Sequence, residues 1–213
     1  MELKERILQE ADQLFHVYGI RSVSMDDIAR RAGVSKKTIY QYYADKDDLV
    51  STMVHQMLSQ DIRDFQTIAQ IAKDAIEEVV LGSEKIKTMI RSVNPVVVFD
   101  LQKYHPKAWS IYKNFKEQYF VGSLIRLMQR GIEEGYFRKD INVEVLAKMR
   151  VEQVQMAFDP ALFPFDKYNV MDVQWAFFDH FIHGIITLKG YSKLIQYRQV
   201  YYQNEKNTQP LPL

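Results

Sequence analysis

The sequence predicts an all-α chain. Three observations carry this expectation. Apolar residues recur at three- and four-residue intervals over long stretches, the spacing of one helix face. Glycine and proline number only 8 and 6 in 213 residues, and they fall between those stretches. Hydrophobic residues make up 47% of the chain and charged residues 26%, the balance of a folded rather than a disordered protein.

Leu3, Ile7, Leu8, Ala11, Leu14 and Phe15 place a first amphipathic helix over roughly 2–18, with Gly19 suited to end it. The stretch "SMDDIARRAGVSKKTIYQYY" divides at Gly33 into two short helices. Ser24 with Asp27 resembles a capping box for the first, and Ser35 can cap the second. Asp45 with Asp48 repeats the device before a long helix that starts at Lys46 and runs into the sixties. A further helix is expected from Ile68 to about Arg91. Asn94 and Pro95 then restart the chain into a short apolar segment ending near Tyr104, and Pro106 opens a helix to about Glu134. Gly135 suits a helix C′ position and Asn142 an N-cap. Helices follow at about 143–158 and 167–190, separated by "DPALFPFD", with a last one from Ser192 to about Asn204 and a frayed tail "NTQPLPL".

Several function classes lose their chemistry in this sequence. With no cysteine, thiolate metal sites, disulfides and cysteine nucleophiles are excluded together. The spacings HExxH, ExxH and GxGxxG and a Walker-type loop are all absent, so zincin, di-iron and nucleotide-fold enzymes are not indicated. No cofactor is expected. His180 and His183, with Asp179 adjacent, have a spacing that could share a metal, but nothing supplies the remaining ligands, and a helix-interface role is the plainer reading. Glu2, Lys4, Glu5, Arg6 and Glu10 interrupt any apolar signal segment at the N-terminus. The longest aliphatic run, Val96 to Phe99, is far too short to span a bilayer, so a cytoplasmic protein without membrane attachment is expected.

The net charge is only +1, yet Arg30, Arg31, Lys36, Lys37 and Lys46 face Asp45 alone between Ile28 and Lys46, a local charge of +4. Val23, Ile28, Ala29, Ala32, Val34 and Ile39 can fill a small core. That leaves Ser35, Lys36, Lys37, Thr38, Gln41 and Tyr42 toward solvent or DNA. Lysine can donate to guanine, threonine can offer a methyl group to thymine, and hydroxyls can donate to phosphates. A solvated lysine-rich helix with buried tyrosines is the bland alternative.

The order of apolar positions in "ILQEADQLFHVYGIRSVSMDDIARRAGVSKKTIYQYYADKDDL", its helix-turn-helix "DIARRAGVSKKTIYQYY" and the "KDDL" opening of the next helix resemble the DNA-binding domain of the TetR family of bacterial transcriptional regulators. The resemblance implies nine or ten helices, a homodimer, a double-stranded DNA operator, and a C-terminal domain that binds a small inducer. By position it implies that Lys36, Lys37, Thr38 and Tyr40 read or border bases, while Ser24, Ser35, Tyr42 and Lys46 clamp phosphates. Lys37 stands where many relatives have a small residue and suits a base or a phosphate equally. The ring of Tyr40 could instead pack in the small core, with only its hydroxyl reaching DNA.

The expected domains are 1–50 for DNA binding and 51–213 for ligand binding and dimerisation. "GIEEGYFRKDIN" and "FFDHFIHGIITLKG" resemble the later parts of the family, and helices 143–158 and 167–190 are expected to pair with their symmetry mates. In the latter helix, Trp175, Phe178, Ile182 and Ile185 are the expected interface residues. Phe99, Tyr104, Trp109, Tyr112, Phe115, Tyr119 and Met128 are either core or the lining of a pocket for a small, largely apolar or aromatic ligand. Arg150 and Gln153 share the stripe of Leu146, Met149 and Met156, either hydrogen-bonded to another helix or facing that ligand; as a ligand contact Arg150 suits a carboxylate or phosphate. The functional expectation is a homodimeric repressor released from its operator by a small ligand. The alternatives are a helical protein-interaction module and a ligand-independent DNA-binding regulator.

Overall fold

A computed structural model describes residues 2–202; the tail expected to fray lies outside the described residues. α1 (Leu3–Tyr18) buries Ile7, Leu8, Ala11 and Phe15 and stops at Gly19, whose φ of 78° a side chain would oppose. α2 (Met25–Arg31) and α3 (Lys36–Tyr40) are joined through Gly33, at φ 64°. α4 (Lys46–Ile71) starts on the Asp45 carboxylate, which accepts from the Asp48 N–H at 2.7 Å. Asp48 itself reaches back to the Ala44 N–H.

The helix expected from Ile68 begins later. α4 continues to Ile71, Ala72 turns to an extended conformation, and the Asp74 side chain caps α5 (Ala75–Ser92) by accepting from the Ile76 and Glu77 N–H groups. α6 (Pro95–Tyr104) follows the Asn94 cap. From Pro106 the chain runs through α7 (Pro106–Phe115), a π turn (Lys116–Phe120) and α8 (Val121–Glu133), keeping helical backbone angles at Lys116 and Val121. α9 (Val143–Met156) is capped by Asn142, and α10 (Val170–Ile185) by Asn169. With Pro106–Glu133 counted as one rod, the described residues form ten helices.

The helix expected over 167–190 is two helices. Ile186 is extended and bridges to Phe137, and the Thr187 N–H donates to the Tyr136 carbonyl, so the chain leaves the helical path before α11 (Leu188–Tyr202). Gly190 permits this docking: a Cβ there would lie 2.3 Å from the Tyr136 oxygen.

Two apolar clusters hold the chain. The first joins α1–α3 to the start of α4 through Phe15, Ile28, Ile39, Tyr43, Val54 and Leu58, and it takes in Leu101 of α6 and Ala108 of α7. It therefore continues past residue 50. The second gathers Ile76, Val80, Met128, Phe137, Phe181 and Ile182 from α5, α8, α10 and the turn before α9. Among the described residues no helix is long and apolar enough to cross a membrane.

Candidate nucleic-acid interface

Capping fixes the two short helices. The Ser24 hydroxyl accepts from the Asp27 N–H at 3.2 Å while the Asp27 carboxylate accepts from the Ser24 N–H at 3.0 Å. Donation by the Ser24 hydroxyl and N–H holds the Asp27 carboxyl below the usual range. Ser35 caps α3 by accepting from the Thr38 N–H at 3.0 Å, and its oxygen lies 2.7 Å from the Thr38 hydroxyl. Ile39 and Tyr43 turn into the core, which leaves Ser35, Lys36, Lys37, Tyr40, Gln41 and Tyr42 exposed and Thr38 half-buried. Tyr40 is thus on the outer surface; the ring that packs inward is Tyr43, whose hydroxyl donates to the Lys4 carbonyl.

Most of the local positive charge is engaged by anions from outside the basic stretch. Arg30 pairs with Asp27 at 3.4 Å, Arg31 with Glu10 at 2.9 Å and Lys36 with Asp26 at 2.7 Å. Donation to Asp26 raises the Lys36 ammonium above its ordinary value. Lys37 is exposed and has no such partner among the described residues.

Lys46 departs from expectation. Instead of projecting as a phosphate clamp, its ammonium turns inward and donates to the Ile20 carbonyl at 2.5 Å and to the Val23 carbonyl, closing the loop between α1 and α2. Burial holds its pKa below the ordinary lysine value, only partly offset by Asp100, Asp47 and Asp27. A lysine starting a helix after an aspartate is read from sequence as solvent-facing; the two carbonyls that capture it lie more than twenty residues away.

α6 clasps this N-terminal unit. Asn94 donates to the His16 carbonyl at 2.7 Å, and the buried Asp100 carboxylate accepts from the Arg21 N–H at 2.9 Å. Arg21 also donates to the Tyr104 hydroxyl at 3.0 Å and lies over its ring, while the His105 ring meets Asp47 on α4.

The aromatic residues expected to line one pocket are divided. Phe99 and Tyr104 are exposed on α6 beside Lys103. Trp109 stacks on Tyr112 at 4.9 Å and Phe115 meets His55, all against the first cluster, while Tyr119 is exposed and Met128 is buried in the second cluster. Arg150 packs on α10 instead, its guanidinium 5.7 Å over Phe178, and the Gln153 Oε1 is buried without a partner. The expected dimer residues also divide. Ile182 and Ile185 are 0% and 2% exposed within one chain and belong to its core, whereas Trp175 and Phe178 form a half-buried T-shaped pair. On α9, Val145, Met149 and Met156 form an exposed apolar stripe whose outward direction no single-helix pattern distinguishes from its core side. His183 turns to Asp179, and no described group of three or more metal-ligating residues is present.

A capped helix-turn-helix, mounted by α4 and α6 on a larger helical domain, defines a two-part DNA-binding regulator. The chain belongs to the TetR family of bacterial regulatory proteins, whose family model matches residues 7–53. It is 30% identical over 167 residues to an uncharacterized HTH-type transcriptional regulator of Bacillus subtilis, YvaF, covering 74% of this chain and 82% of that one. It is 24% identical over 158 residues to the HTH-type transcriptional repressor KstR2 of Mycobacterium tuberculosis, covering 66% of this chain and 72% of that protein. Its fold matches the structure of the regulator FadR from Bacillus subtilis in complex with stearoyl-CoA, with a TM-score of 0.63 at 17% identity over 85% of this chain and 98% of the other.

Proposed function

We propose that two copies of the chain bind a palindromic operator, repress the adjacent promoter, and release the DNA when a small ligand enters the C-terminal helices. The observation that carries this reading is the outer face of α3, where Lys37 stands unpaired among exposed hydroxyl and amide groups. Lys36, Thr38 and Tyr40 would flank it at the bases, and Ser35 and Tyr42 would donate to phosphates, with Ser24 joining them once its hydroxyl turns from Asp27. Two such helices would enter successive major grooves about 34–36 Å apart. The KstR2 relative, a named repressor, supports the sign of the effect, and the FadR neighbour with stearoyl-CoA supports ligand binding by a fold of this kind.

Dimerisation would cover Val145, Met149 and Met156. A ligand that shifts α6 would act on the DNA-binding helices through Asp100 and Arg21, with a coupling of about 1–3 kcal/mol. Sedimentation of Met149→Glu beside the unaltered chain tests the assembly. The expected result is a dimer for the unaltered chain, a monomer for the variant, and loss of duplex binding with the dimer; an unaltered chain that sediments as a monomer and binds no duplex contradicts the proposal.

A further inference from the structure

Arg150 is the unusual cation of the C-terminal domain. It is 5% exposed, its Nη1 has no hydrogen-bond partner, and no described carboxylate pairs with it. Other enclosed cations here are matched. Lys116, equally buried, donates to both Glu152 oxygens and to Gln155, and Arg130 donates to Glu134, Glu78 and the Ala72 carbonyl. Leaving a guanidinium enclosed without an ion-pair partner opposes folding, and Arg150 departs in this from Lys116 and Arg130. Burial lowers the Arg150 pKa to about 10, and it remains a cation at neutral pH.

Further unsatisfied polar atoms lie along the same seam. Gln153 stands three residues on from Arg150 along α9, and its Oε1 is buried without a partner. Gln174, 3% exposed, sits one turn before Phe178 on α10. Its Nε2 donates to the Val154 carbonyl at 2.6 Å, which fixes the amide orientation and leaves its Oε1 unpartnered. The guanidinium is held over the Phe178 ring, and Trp175 packs edge-on against that ring at 5.5 Å. Arg150 and Gln153 on α9 and Gln174, Trp175 and Phe178 on α10 thus supply a planar donor, two unpartnered acceptor oxygens and aromatic surface to the two helices of this seam.

We propose that the α9–α10 seam binds an amphipathic organic acid, with its carboxylate on the Arg150 guanidinium, its apolar body against Phe178 and Trp175, and a donor such as a hydroxyl on the Gln153 or Gln174 oxygen. A planar guanidinium fork matches a carboxylate. A carboxylate's single charge is matched by the one guanidinium, whereas a phosphate would bring more negative charge than that cation neutralises. This assignment rests on the reading that the C-terminal helices take a small ligand, and it is tested without DNA.

The experiment is thermal unfolding of the full chain and of Arg150→Met and Arg150→Gln, each with benzoate, phenylacetate or octanoate and with the matching primary amides. Without additive, Arg150→Met is expected to melt about 2–4 °C above the unaltered chain, because an uncompensated buried charge is gone. At least one acid, and not its amide, should raise the melting temperature of the unaltered chain, with tenfold or greater weakening in both variants. Melting of both variants below the unaltered chain overturns the proposal, as does equal action, or no action, of acids and amides. Duplex binding measured in parallel separates the readings. Retained DNA binding without acid-selective shifts removes the acid site alone, while acid-selective shifts without DNA binding remove the operator reading alone.

Discussion

Lys37 and Lys46 lie in one basic stretch, yet they do different work. Lys37 is exposed and unpaired among the described residues, so Lys37→Ala should weaken operator binding by about 1–3 kcal/mol while weakening random duplex less, measured by fluorescence titration on both. Equal losses on the two duplexes would assign it to a phosphate. Lys46 serves the Ile20 and Val23 carbonyls, so Lys46→Ala should lower stability by about 1–3 kcal/mol in denaturant and leave the salt slope of DNA binding unchanged. Tyr43 and Tyr112 carry a pH dependence: burial pushes both phenols up to about 12, against roughly 10 in the unfolded chain. Their stabilisation is complete below pH ~10 and is lost as pH rises toward ~12, because only the unfolded phenols ionise there. Tyr43→Phe should flatten that alkaline loss in denaturation curves taken from pH 9 to 12. The basic stretch itself was legible in the sequence. Of what engages it, only the Asp27–Arg30 pair has a local spacing, three residues apart on α2; Glu10 reaches Arg31 through the packing of α1 on α2, and Asp26 reaches Lys36 through that of α2 on α3.

Helices with local signals were legible at their starts. Ser24, Ser35, Asp45 and Asn142 each sit one residue before a helix and cap it, and Gly19, Gly33 and Gly135 take the positive φ that ends one. The break at Asp74 had a signal too, an aspartate three residues before Glu77, but unbroken apolar periodicity from Ile68 onward hides it. The break between α10 and α11 had no local signal. Ile186 and Thr187 leave the helix because Phe137 and Tyr136, some fifty residues earlier, offer backbone partners. Gly190→Ala should therefore destabilise the chain by about 1–3 kcal/mol, read by chemical denaturation, since the added Cβ meets a backbone oxygen rather than a movable side chain.

Across the whole molecule, the first apolar cluster ties α1–α3 to α4, α6 and α7, the second gathers α5 and α8–α11, and α6 holds the DNA-binding helices by hydrogen bonds as well as packing. Asp100→Ala removes the acceptor of the Arg21 N–H, and it should reduce the effect of any releasing ligand on operator affinity more than it reduces affinity for that ligand, compared by titrations with and without DNA. The DNA-binding helices could be anticipated from residues 7–50, whereas which later aromatic residues are core could not, because aromatic stripes on a helix look alike whether they face core, ligand or partner. The most direct test of operator recognition by α3 is selection of bound sequences from a random duplex pool at two salt concentrations. A palindrome with half-sites about one helical turn apart and affinity falling steeply with salt is the result expected, whereas recovery of no preferred sequence at either concentration would contradict it.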